Sequence, residues 1–275
     1  MYVAYLGPKG SFTHQVAQEA FKKAALLGFE SITEVIKAYE ERKVTYAVVP
    51  VENSIEGSVH ETIDYLFHHA SIHATAEIVK PISQQLLATS YDKSIEVIYS
   101  HPQAIAQGKK YIERYYPQAR FEMTASTAYA ARLVAQHPDK PFAAIAPDVA
   151  AKEYGLKVVA QNIQEISQNF TRFWILGQEV PQLALAKEEE KVSLALTLPS
   201  NKPGSLYKAM SVFALRGLDL TKIESRPLKT VLGEYFFILD VRVTSKDLFL
   251  FSLKELTSLK ISYKILGNYS VYLAE

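Results

Sequence analysis

A hydroxyl and a fixed cation interrupt one of the most apolar stretches of this chain. The run Phe170, Phe173, Trp174, Ile175 and Leu176 has the aromatic and β-branched content of a buried strand. Thr171 and Arg172 break into it, and both are costly to bury unless something pairs them. Asn169 and Thr171 stand two apart, so their side chains share a face of the strand; Phe173 returns to that face and Arg172 points oppositely. An amide and a hydroxyl then converge on one target. The guanidinium either grips a carboxylate around the twist of the strand or braces the site through an ion pair.

Other polar clusters sit where strands give way to helices. Gly7-Pro8-Lys9-Gly10-Ser11-Phe12 leads from a strand into a helix start, where free backbone N–H groups favour an anion. A plain turn with a Ser cap explains it equally, and the Gly spacing is not that of a P-loop. Glu52-Asn53-Ser54-Ile55-Glu56-Gly57-Ser58 follows an apolar strand, and its residues also suit a capped loop. Ser100-His101-Pro102-Gln103, with Gln107 one turn on, is a further junction; His101 is read as a helix-start residue rather than a general base. Ala125-Ser126-Thr127 places two hydroxyls at a helix N-terminus, a device suited to a carboxylate. His68, His69 and His73 lack a clear carboxylate partner at metal-ligand spacing, so no metal site is expected.

These clusters must be positioned by layered elements. Tyr2 to Leu6, Tyr46 to Val51, Val97 to Tyr99 and Phe142 to Ala146 read as strands of near-continuous apolar residues, as expected when helices cover both faces. Helices are expected from Ser11, from Ser31, near Ser58 to His68, from Pro102 to Tyr115, from Thr127 to Gln136 and from Pro147 to Tyr154. The alternation argues α/β layers with largely parallel sheets. Residues 181–191 differ: Pro181 breaks the pattern, and Lys187-Glu188-Glu189-Glu190-Lys191 reads as a solvated linker. Beyond it comes strand-helix-strand-strand-helix-strand, a ferredoxin-like βαββαβ order.

Bulk properties narrow the function. The 275 residues carry a formal charge of +1 with no Lys/Arg cluster, which argues against a nucleic-acid groove. With no cysteine, disulfides, thiolate chemistry and Cys-ligated metals are excluded. There is no apolar run of ~20 residues for a membrane span, and Tyr2 enters a strand at once without a leader, so the cytoplasm is the expected compartment.

The Thr171-Arg172-Phe173 triplet followed by Glu224-Ser225-Arg226-Pro227 resembles monofunctional prephenate dehydratases with a C-terminal ACT regulatory domain, from Tyr2 to about Tyr272. The resemblance implies a two-lobed, periplasmic-binding-protein-like catalytic domain over residues 1–180, one lobe from 1–80 with 163–180 and the other from 81–162. A linker over 181–191 and an ACT domain over 192–275 would follow. Prephenate would lose water and carbon dioxide in the cleft to give phenylpyruvate for L-phenylalanine synthesis, without cofactor or metal.

By the same resemblance Thr171 assists the leaving hydroxyl, with Asn53, Glu52 and Gln107 as its catalytic neighbours. Ser11, Ser54, Gln84, Ser100, Ser126, Thr127, Asn169, Arg172 and Phe173 would bind substrate. Two departures are implied: the family often has an acid where Ala125 stands and a His where Gln84 stands. Phenylalanine would bind between two ACT units through Pro203, Gly204, Ser205, Leu206, Asp219, Leu220, Glu224 and Ser225, which implies a homodimer or homotetramer; without the family, a Gly-Ser cap and a strand-end salt bridge explain these residues. Arogenate dehydratase, or a non-catalytic two-lobed sensor of a small anion or amino acid, are the alternatives.

Overall fold

In the computed structural model, which describes residues 1–92, 94–199, 203–229 and 234–274, strands and helices alternate through the first two thirds of the chain. They run β1 Tyr2–Leu6, α1 Phe12–Ala20, β2 Ala25–Phe29, α2 Ile32–Glu40, β3 Tyr46–Asn53, β4 Gly57–Ser58, α3 His60–His68 and β5 His73–Pro81. Next come β6 Gln85–Ala88, β7 Val97–Ser100, α4 Pro102–Tyr115, β8 Arg120–Met123, α5 Thr127–Gln136, β9 Phe142–Ala146, α6 Asp148–Tyr154, β10 Lys157–Ala160 and β11 Phe170–Gly177. The remainder is β12 Ala186–Thr197, α7 Ser205–Ala214, β13 Leu220–Pro227, β14 Tyr235–Arg242, α8 Lys246–Ser258 and β15 Ser262–Leu273. No helix among the described residues is long and apolar enough to cross a membrane.

Two compact units divide the chain. The first holds Met1–Thr62, Val79–Phe173 and Ala274; the second holds Ile63–Ile78 and Trp174–Leu273. The boundary therefore falls inside α3, β5 and β11, with residues 63–78 in the second unit. Side chains of the second unit explain the assignment. Lys264 on β15 donates to the carbonyls of Leu66, Phe67 and Ala70 at the end of α3, at 2.7, 3.0 and 2.7 Å. Arg226 on β13 grips Asp64 with bonds of 3.0 Å to both carboxylate oxygens.

Within the first unit β1 pairs in parallel with β2 and with β3. A second sheet has the order β10-β6-β9-β7-β8. Its β7 pairs in parallel with β8 and β9, but β6 is antiparallel to both β9 and β10, so this sheet is mixed rather than parallel. Apolar runs report that both faces are covered, and they carry no information on strand direction. The cover is visible residue by residue. Leu86, Ala88, Ala143 and Ile145 pack on one face with Ala104 and Ile112 of α4, while Leu87, Ala144 and Ala146 pack on the other with α5 and α6. Because successive strand side chains alternate, two helical layers require every position to be apolar.

In the second unit, β12, β13, β14 and β15 form antiparallel pairs in the order β13-β14-β12-β15. Val192, Leu194 and Leu196 of β12 meet Ala209, Val212 and Phe213 of α7 and Phe249, Leu253 and Leu256 of α8. The charged run Lys187–Lys191, expected as a solvated linker, is the first half of β12, where Lys187 pairs with Tyr272 and Lys191 with Tyr269 of β15. Its charges satisfy one another: Lys187 reaches Glu190 at 2.7 Å, Lys191 reaches Glu189 at 2.9 Å, and Arg242 also bonds Glu189. A run of charges and a bonded backbone are compatible, and here the ladder decides.

Candidate active site

Parallel strands deliver their C-terminal ends, and the helices that follow them, to one edge of a sheet. Three such helix starts line a single cavity of about 300 Å³ in the first unit. At α1 the Ser11 hydroxyl accepts from His14 N–H at 3.1 Å, at α4 the His101 ring accepts from Gln103 N–H at 3.4 Å, and at α5 the Ser126 hydroxyl accepts from Tyr129 N–H at 3.1 Å. Each cap satisfies one early donor, and other N–H groups of the first turn have no intrahelical acceptor. Phe12 and Thr13, Ala104, and Thr127 occupy those first turns and line the cavity. The positive ends of three helices thus meet in one hollow, which favours negative charge. Among the described residues Glu56 is the only formally charged side chain in the lining, so no lysine or arginine competes with the backbone for that task.

In the same lining, a line of amides leads to Thr171. Asn53 Nδ2 donates to Thr171 Oγ1 at 2.9 Å and to Asn169 Oδ1 at 2.7 Å, with the Phe170 carbonyl at 3.2 Å. Asn169 Nδ2 in turn reaches Gln107 Oε1 at 3.3 Å. Asn53, Gln107, Asn169, Thr171 and Phe173 all line the cavity, as do Ser11, Ser126, Thr127 and Gln84. The shared face of Asn169, Thr171 and Phe173 is thereby realised. Since the threonine oxygen takes the Asn53 proton, its own O–H is left to point elsewhere, and the Gln107 amide nitrogen is likewise kept as a donor. Gln84 also lines the cavity; it is 4% exposed, and its buried Oε1 has no hydrogen-bond partner.

Several expected contacts resolve differently. Glu52 and Arg172 bond each other at 2.6 Å and neither lines the cavity, so the guanidinium braces adjacent strands as an ion pair. Ser100 is fully buried and donates to Ile145 O at 2.6 Å, outside the lining; a hydroxyl within a central strand finds the nearest carbonyl. Ser54 accepts from Phe170 N–H at 2.9 Å and contacts Gln168 O, which ties the loop after β3 to β11 instead of facing the cavity. His101, read as a helix-start residue, is that and also a lining group. Burial lowers its pKa, and because Nδ1 accepts, the ring proton belongs on Nε2. Glu56 was not foreseen in the lining: nothing in the local pattern Ser54-Ile55-Glu56-Gly57 says which way the turn faces.

In the second unit Gly204 caps α7 with φ +83°, a left-handed conformation that favours glycine, and Ser205 and Leu206 open the helix. Asp219 bonds Arg242 at 2.9 Å, and Glu224 on β13 lies 3.5 Å from Lys222. Ser225 stands opposite Phe237 of β14.

The prephenate dehydratase family model matches residues 3–181. The chain belongs to the prephenate dehydratase family. A prephenate dehydratase of Lactococcus lactis subsp. lactis is 53% identical over 274 residues, covering 99% of this chain and 98% of its own. The X-ray structure of prephenate dehydratase from Streptococcus mutans is 46% identical, covers 99% of each chain and superposes with a TM-score of 0.66. That of the Arthrobacter aurescens prephenate dehydratase in complex with L-Phe is 28% identical, with a TM-score of 0.86 over 98% of this chain and 89% of that one. The chain is a lyase that dehydrates prephenate on the route to phenylalanine, and its C-terminal βαββαβ region is consistent with an ACT-like regulatory domain.

Proposed function

We propose that the cavity binds prephenate as a dianion against the N-termini of α1, α4 and α5, with Thr171 aimed at the hydroxyl that leaves. The observation that carries this reading is the convergence of three helix starts on a lining without lysine or arginine. A dicarboxylate held by backbone N–H groups needs no guanidinium, and the donors are fixed before the substrate arrives. Thr171, oriented by Asn53, donates a hydrogen bond to the departing oxygen; Gln107 and Asn169 hold the amide line in place. Ser126 and Thr127 sit where a substrate carboxylate would meet α5. A threonine alcohol is a weak acid, so its contribution is orientation and electrostatic preorganisation.

Residues 1–180 are read as a two-lobed, periplasmic-binding-protein-like catalytic domain, and β12 onward as a ferredoxin-like ACT domain. The strand order β13-β14-β12-β15, with two helices on the sheet, supports the second label. Phenylalanine is proposed as the effector, its carboxylate at the start of α7 near Gly204, Ser205 and Leu206, and its ammonium group near Glu224 and Ser225. Pro203, Asp219 and Leu220 complete that site. A second copy of the chain is needed to close it; β13 is an edge strand that exposes Ile223, consistent with such a partner. Regulation is then a coupling between the effector site and the catalytic cavity.

One assay tests the reading. Ultraviolet detection should find phenylpyruvate formed from prephenate, more slowly when phenylalanine is added, and little phenylalanine formed from arogenate. Gel filtration should give a dimer or tetramer, and calorimetry should detect phenylalanine binding below millimolar concentration. Preferred turnover of arogenate, or no turnover of either acid, would overturn the substrate assignment.

A further inference from the structure

We propose that Glu56 is the general acid that protonates the departing hydroxyl. The proposal deepens the prephenate reading and rests on it. The chemistry demands such a group. When the ring carboxylate leaves as carbon dioxide, its C–C electron pair enters the ring, the opposite C–O bond breaks, and that oxygen keeps the bonding pair. Without a proton it departs as hydroxide; with one it departs as water. The hydroxyls and amides of the lining are far too weak as acids to supply it at neutral pH. Glu56 is the one carboxyl in the lining among the described residues.

Geometry ties the backbone of the turn that carries Glu56 to the amide that orients Thr171, and all three residues line the cavity. The Oδ1 of Asn53 accepts from the backbone N–H groups of Ile55 and Glu56, at 3.0 and 3.3 Å, while its Nδ2 donates to Thr171 Oγ1 at 2.9 Å. One asparagine therefore pins the turn that carries the acid and sets the direction of the threonine hydroxyl. Glu56 is exposed, yet partial desolvation by the groups around it raises its carboxyl from the ordinary value, and an incoming dianion raises it further, because like charges disfavour ionisation. The substrate thus loads its own acid. After the proton is given up, the carboxylate recovers another from solvent, since the residue remains exposed.

The other titratable side chain in the lining is His101, at the start of α4. Burial favours its neutral form, which is a poor donor at this task. Glu52 and Arg172, on the neighbouring β3 and β11, neutralise each other away from the cavity.

The test is the pH dependence of kcat on prephenate for the wild type, Glu56→Gln, Glu56→Asp and His101→Gln, with thermal melts to confirm folding. The wild type should lose kcat as pH rises through the pKa of the bound acid. Glu56→Gln should fall by about 100-fold to 10,000-fold in kcat and lose that basic limb. Glu56→Asp should keep the limb at a reduced rate, and His101→Gln should keep it too. A Glu56→Gln enzyme that retains the limb, whatever its rate, overturns the proposal, as does loss of the limb in His101→Gln. A wild type inert toward prephenate would instead overturn the substrate reading, and the proposal with it.

Discussion

Asn53 Nδ2 donates to Thr171 Oγ1 across 2.9 Å, joining two residues 118 positions apart in the chain. The bond fixes the polarity of the threonine: its oxygen is an acceptor toward Asn53, so its proton is committed to another partner. Thr171→Ala should lower kcat by about 100-fold to 1,000-fold, the range seen when one preorganised donor is removed, while KM changes little. Thr171→Ser should recover part of that loss. Asn53→Asp should behave worse than Asn53→Ala, because a carboxylate cannot donate to Thr171 and adds a charge to a cavity meant for a dianion. Steady-state kinetics with prephenate decide between these orders.

Glu52 and Arg172 bond at 2.6 Å with 26% and 16% of their side chains exposed. Removing either partner takes a charge-assisted bond from a half-buried charge, so each single alanine variant should lose about 1–3 kcal/mol of stability. The double variant should lose less than the sum of the two. Urea unfolding of all four proteins gives the coupling directly; additive losses would assign the pair no mutual role.

Gly10 has φ +79°, and a Cβ there would stand 3.1 Å from the Cα of Ala150, a backbone atom that cannot step aside cheaply. Gly155 has a similar φ of +69° but open space around the added carbon. Both alanine variants incur the left-handed cost of about 1–2 kcal/mol, and Gly10→Ala should exceed Gly155→Ala through the clash. Gly10→Ala should also impair turnover, since the loop it closes leads into Ser11 and α1. Thermal melts and kcat/KM on the two variants provide the check.

His14 is buried, packs with its ring tilted against Tyr5 at 4.9 Å and accepts from Gly10 N–H at 3.0 Å through Nδ1. Burial lowers its pKa, against a smaller upward pull from Glu153. The native state therefore resists a proton that the unfolded chain accepts below about pH 6.5. Stability from this residue is complete above that value and declines as pH falls toward the depressed native pKa. His101 and His68 are lowered in the same direction, so the readout is a difference. Between pH 7.5 and pH 5, His14→Asn should lose less stability than the wild type, measured by urea midpoints.

Local chemistry in the sequence determined much of this protein. Ser11 and Ser126 declare helix starts, because a hydroxyl before an amphipathic run has an orphan N–H to accept from. The doubled faces of β9 are written as unbroken apolar residues, and the βαββαβ order of the last third is legible from alternation alone. The shared face of Asn169, Thr171 and Phe173 follows from the two-residue repeat of a strand. Three strands escaped: β2, whose Ala-Leu-Leu-Gly-Phe lies largely open, the two-residue β4, and β10, whose Lys-Val-Val-Ala is too short to declare a period.

Only the tertiary structure decided which polar groups look at the substrate and which look at one another. Glu52 and Asn53 are neighbours in the chain, yet one answers Arg172 and the other Thr171. Ser100 spends its hydroxyl on a carbonyl 45 residues away, while Glu56, unremarkable in its turn, lines the cavity. Backbone preference is set within a few residues, but the partner of a side chain is whichever group the packed chain brings within about 3 Å. That distance is a property of the whole fold.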